Sequence, residues 1–80
     1  MEQTLKNAVR QFRLGMDGGG SATLVEFIDQ LLKSMAHPET APIGPRALPL
    51  LKEIIAGQQR GDFLYVADIL EYEILPILER

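Results

Sequence analysis

Eighty residues suffice for one domain, expected to span 1–80, with a modest core and a small margin of stability. With 46% apolar and 24% charged residues the chain is globular rather than disordered, and a net charge of −3 argues against nucleic acid or an anionic membrane as a partner. There is no Cys and a single His, His37, which excludes disulfides, thiolate metal sites and multi-His sites, so neither a metal nor a cofactor is expected.

Leu5, Ala8, Val9, Phe12 and Met16 recur at helical spacing and predict an amphipathic helix over 2–15, with Gly15 as its stop. Asp17-Gly18-Gly19-Gly20 reads as a flexible break. Thr23-Leu24-Val25-Glu26 then matches a capping box, with Ser21 as a competing cap, for a second helix reaching Met35. Its apolar stripe is Leu24, Phe27, Ile28, Leu31 and Met35, and Asp29 and Lys33 stand one turn apart as a surface pair.

Three prolines in 37–46 predict a non-helical loop that splits the chain in two. A third helix is expected from Leu48, with Pro49 in its first turn and Leu51, Ile54 and Ile55 facing inward. Gly57 weakens it and Gly61 ends it. Asp62 caps a fourth helix from Phe63 to the C-terminus, where Pro76 should kink the helix or end its regular part near Leu75. Phe63, Val66, Ala67, Leu70, Ile74 and Ile77 form one stripe. Leu64, Tyr65, Ile69, Tyr72 and Leu75 add apolar area on neighbouring faces. No segment shows the strand period. The expected fold is all-α, a four-helix bundle made of two helical hairpins.

The motifs that suggest chemistry have plainer readings. Gly15-Met16-Asp17-Gly18-Gly19-Gly20-Ser21 is glycine-rich like a phosphate loop. It carries Ser21 where such a loop needs Lys, a helix rather than a strand precedes it, and Asp17 would repel phosphate. Arg60-Gly61-Asp62 is the tripeptide that integrins recognise, yet a helix stop and a helix cap account for Gly61 and Asp62. Asp68, Glu71 and Glu73 read as a solvated acidic face, since no helix offers the Glu-x-x-His spacing of a carboxylate-bridged metal site. His37 reads as a solvated loop side chain. Ser21 and Thr23 have no neighbouring base, so nucleophilic catalysis has no support and the chain is not expected to be an enzyme.

Tyr65, Asp68, Tyr72 and Leu75 fall on one face of the fourth helix, with Ile69 beside them. Half-buried bundle residues are one reading; an acid-rimmed interface for another protein or a second copy of the chain is the other. Residues 61–80 carry five acids against Arg80, whereas 1–20 carry Lys6, Arg10 and Arg13 against Glu2 and Asp17. The two ends are therefore suited to pack together. The segment Gly61-Asp62-Phe63-Leu64-Tyr65-Val66-Ala67-Asp68-Ile69-Leu70-Glu71-Tyr72-Glu73-Ile74-Leu75-Pro76, about a fifth of the chain, resembles a motif in small, uncharacterised helical proteins of Bacillus-type bacteria. That resemblance implies a bacterial cytoplasmic protein and brings no activity with it. The first 13 residues lack the apolar core of a signal peptide, and no apolar run approaches the length of a membrane span. A cytoplasmic protein-interaction module, able to form a homodimer through the fourth helix, is the expected function. A small-molecule- or metal-binding regulatory bundle is the alternative.

Overall fold

A computed structural model describes residues 1–36 and 44–79, apart from the side chains of Met35, Gly44 and Pro45. His37 and residues 37–43 of the expected proline-rich loop lie outside the described residues. The described chain is all-helical: α1 (Glu2–Arg13), α2 (Asp17–Met35), α3 (Gly44–Gln59) and α4 (Phe63–Ile69), the last running on through a π-helical turn (Leu70–Ile74) into α5 (Leu75–Leu78). α1 packs against α2 on one side and against α4, the π turn and α5 on the other; α3 packs against α4 and the π turn. The buried core draws on every segment but α5. It runs from Leu5, Ala8, Val9 and Phe12 through Leu24, Phe27 and Leu31 to Ala47, Leu51, Ile54, Val66, Ala67, Ile69, Leu70 and Ile74. Met16 and Ile55, expected inside, stand 51% and 48% exposed, because α1 has ended before the first and the buried seam of α3 passes through Ile54.

Both expected glycine stops are built as predicted. Gly15 (φ +77) donates to the Phe12 carbonyl while Met16 donates to that of Gln11 at 2.8 Å. Gly61 (φ +72) donates to Gln58 while Asp62 donates to Gly57 at 2.9 Å. Each pair of bonds satisfies two orphan carbonyls at a helix end and requires a left-handed residue, which glycine adopts without steric cost. The Asp62 side chain then accepts from the Tyr65 amide at 3.3 Å, capping α4 as its position predicts.

The Gly-Gly-Gly break does not exist. α2 begins at Asp17 and carries all three glycines in its first turn. The reason is close approach: a Cβ on Gly20 would lie 2.7 Å from the Phe12 ring, and one on Gly19 would lie 3.1 Å from the Gln11 amide. Absence of a side chain lets α2 seat against α1. Asp17 in the first turn also suits the positive end of the helix dipole. Thr23 and Ser21 are consequently interior to the helix and cap nothing. With the Gln11 amide oriented to satisfy both its ends, its nitrogen donates to Thr23 Oγ1 at 2.6 Å and ties the two helices again.

α3 likewise starts earlier than Leu48, at Gly44, so the 44–46 end of the expected loop is helical and Pro49 lies inside the helix rather than in its opening turn. Pro49 is exposed, and the carbonyl it leaves without a donor lies in the first turn of α3. Gly57, read as a weak point, is a contact: a Cβ there would meet Val66 Cγ2 at 2.8 Å, so α3 and α4 depend on it for their spacing.

Pro76 has the effect expected of it, but upstream. A proline ring collides with the carbonyl four residues before it and cannot donate to it. Here that carbonyl belongs to Tyr72, and the helix widens around it into the π turn, with the Leu75 amide bonded to the Leu70 carbonyl five residues back. The expected stripe survives: Val66, Ala67, Leu70 and Ile74 are buried, with Phe63 and Ile77 half-buried.

Gly18 and Gly20 provide a matched test. Nothing lies within 4 Å of a Cβ built on Gly18, whereas one on Gly20 strikes Phe12. Both substitutions to Ala gain the same helix propensity, so the Gly20→Ala protein should be less stable than the Gly18→Ala protein by about 1–3 kcal/mol, the usual cost of overpacking. Urea unfolding of the two variants measures the difference; equal stabilities would mean that α1 and α2 do not meet at Phe12.

Candidate functional site

The C-terminal helical segment, 63–78, presents its outer face between α1 and α3. The five predicted site residues occupy different depths on it. Tyr72 is 64% exposed and Asp68 is exposed; Tyr65 and Leu75 are half-buried; Ile69, at 6%, belongs to the core. Four of the five thus reach the surface. Two grooves flank Tyr72 and share it as a wall. The first lies against α1 and is lined by Lys6, Val9, Arg10, Arg13, Leu14, Glu71, Tyr72 and Leu75. The second lies against α3, with Leu50, Glu53, Tyr65, Asp68, Ile69, Tyr72 and Glu73.

Arg13 organises the face. Its Nη2 donates to Glu71 Oε1 at 2.7 Å and to Asp68 Oδ1 at 3.0 Å, and its Nε donates to Glu71 Oε1 at 3.0 Å. The guanidinium also lies over the Tyr72 ring, 5.9 Å from its centroid. These hydrogen bonds, that to Asp68 foremost, hold Arg13 above the ordinary arginine value. Asp68 and Glu71 are therefore bound acids, not the freely solvated face that their spacing suggests. The partly exposed cluster fixes geometry more than it adds stability, since ion pairs open to water contribute about 0–1 kcal/mol each.

On the other side of the face, the Tyr65 hydroxyl donates to Glu53 Oε2 at 2.8 Å, and the Arg60 guanidinium lies 5.4 Å from the centre of the Tyr65 ring. Tyr65 is thus tied to α3 and leaves Tyr72 as the freest aromatic ring on the face. Arg13, Glu53 and Arg60 were not singled out as site residues from the sequence. The charge asymmetry between the two ends of the chain pointed towards Arg13; nothing in the local pattern pointed to Glu53.

No family model matches the chain, nor does any curated protein or solved structure. Function rests on the geometry alone. The two grooves measure 720 and 480 Å³, within the size range of small-molecule sites, yet both are open troughs that leave an occupant in contact with water. Among the described residues no group of three or more His, Cys, Asp or Glu is placed to hold a metal ion, and no helix is long and apolar enough to cross a membrane. The face is chemically a crest, aromatic at Tyr72 and charged along both flanks.

The hydrogen bond to Glu53, followed by partial burial, raises the Tyr65 phenol above its ordinary value. A neutral phenol is the donor, so this contact contributes stability below the unfolded value of about 10 and loses it as pH rises through the higher folded value. Tyr72→Phe leaves Tyr65 as the only tyrosine. Absorbance titration of that variant should give a midpoint above about 10, and adding Glu53→Gln should lower it. A midpoint insensitive to Glu53 would show that the hydroxyl points elsewhere.

Proposed function

We propose that the chain is a small protein-interaction module, a four-helix bundle of two hairpins that docks a protein partner on the face formed by Tyr65, Asp68, Tyr72 and Leu75. One observation carries the reading: Tyr72 is 64% exposed at the crest between two open grooves, in a helix whose core-facing stripe is already complete without it. An exposed aromatic ring stacked by an arginine and edged by fixed carboxylates has the composition of an interface centre. Arg13 fixes the surroundings of the ring before any partner arrives, which lowers the ordering cost of binding. The ligand-binding alternative gains nothing from the two grooves, which are open and present few buried polar groups.

Photocross-linking tests the reading. Tyr72, replaced by photoreactive benzoylphenylalanine, should yield a discrete cross-linked protein in cells, whether another chain or a second copy. The same group at Val25, equally exposed at 65% but on α2, should not. Indistinguishable products from the two positions, or none from either, would remove the support for this face.

A further inference from the structure

Resting on that reading, we infer that the partner is a second copy of this chain, related by a two-fold axis that runs along the C-terminal helical segment. Charge complementarity across the Tyr72 crest favours this partner. The groove against α1 carries three cations, Lys6, Arg10 and Arg13, against one lining carboxylate, Glu71; Lys6 is paired with Glu2 at 3.2 Å and Arg13 with Asp68 and Glu71, so Arg10 is the cation this flank offers most freely. The groove against α3 carries three carboxylates, Glu53, Asp68 and Glu73, and no cation. One face therefore holds a basic flank and an acidic flank, divided by a single aromatic ring.

A symmetric dimer applies the same patch twice, so the patch must complement itself under the two-fold operation. Only one class of axis achieves this here. An axis in the interface, parallel to the helix, exchanges the two flanks, so that each copy lays its basic groove on the acidic groove of the other. An axis in the interface at right angles to the helix keeps each flank on its own side and sets cations on cations. Like charges brought together in an interface oppose binding, so the first arrangement is selected. In it the C-terminal segments of the two copies run parallel and their Tyr72 rings meet at the axis.

Size points the same way. A stable interface covers about 800 Å² of each partner, roughly a sixth of the 4771 Å² surface of this chain, which one tyrosine cannot supply. Both flanks must be covered together, and the two-fold arrangement does that. Leu14 and Leu75, in the basic groove, would then face the Leu50 side of the acidic groove, so that apolar contacts accompany the charge pairs.

Sedimentation equilibrium with charge reversals tests the inference. Arg10 and Glu73 are both exposed and, among the described residues, the side chain of neither makes a hydrogen bond or salt bridge, so Arg10→Glu and Glu73→Arg should leave the helical circular dichroism unchanged. The natural chain should dimerise, and each variant alone should dissociate about tenfold more readily or worse. An equimolar mixture of the two variants should recover the dimer, because in the mixed pair both flank contacts again join opposite charges. Raising the ionic strength to about 1 M, where charges are screened beyond about 3 Å, should weaken the natural dimer. A natural dimer indifferent to both reversals, or a mixture that stays apart, overturns the two-fold arrangement but not the interaction surface. A natural chain that is monomeric at high concentration overturns the inference; the surface itself then stands or falls with cross-linking of another protein from position 72. If that also fails, both readings fall.

Discussion

Phe12 is the side chain on which three helices close. It is 2% exposed, stacks nearly parallel on Phe63 of α4 with ring centres 5.5 Å apart, and leaves no room for a Cβ at Gly20 of α2. The stack joins the two halves of the chain, and aromatic pairs contribute about 0.5–1.5 kcal/mol beyond the area they bury. The next residue, Arg13, performs the same linking on the wet side of the same helix end by binding Asp68 and Glu71. The two neighbours pin the C-terminal segment to α1 from inside and from outside. The position of Tyr72 follows from that double attachment, because Arg13 lies over its ring.

The features legible in the sequence were those settled by local backbone chemistry. Gly15 and Gly61 stop helices because their conformations and hydrogen bonds involve only their own neighbours, and the Asp62 cap and the Asp29–Lys33 pair are local in the same sense. The misread features were tertiary. Three successive glycines favour a break in an isolated chain, but the packing of Phe12 against Gly20 outweighs their propensity. The same holds for Gly57, whose missing side chain makes room for Val66. Propensity scales treat both glycines as weaknesses; in the fold they are places where a neighbouring helix's side chain leaves no room for a Cβ.

The candidate site was legible through excess. A helix with apolar residues around most of its circumference has more of them than one core can take, and Leu64 and Tyr72 prove to be the surplus residues. Ile69, counted with them, went to the core instead, because α3 packs against α4 as well as α1 does and a second buried face needs a second set of apolar side chains. The specific contacts of Arg13 and Glu53 are not legible in the sequence because their partners lie 55 or 58 and 12 residues away, where no periodicity reports them.

Pro76 connects this packing to the surface. An uninterrupted α-helix would offer the Tyr72 carbonyl a donor from residue 76; proline has none, and its ring would strike that carbonyl. Widening the helix through Leu70–Ile74 relieves the clash, and the Leu75 amide donates to the Leu70 carbonyl five residues back. The widened turn is confined to the stretch that carries Glu71, Tyr72 and Glu73, and buried Leu70 and Ile74 anchor it at both ends. Helical irregularities of this kind are tolerated where the flanking residues hold the chain on both sides. Beyond the turn the segment has no fully buried residue, and Leu75, Ile77 and Leu78 are all half-buried. Among the described residues from the proline-induced turn onward, Tyr72 is thus the one large apolar side chain left strongly exposed, and it borders the groove lined by α1.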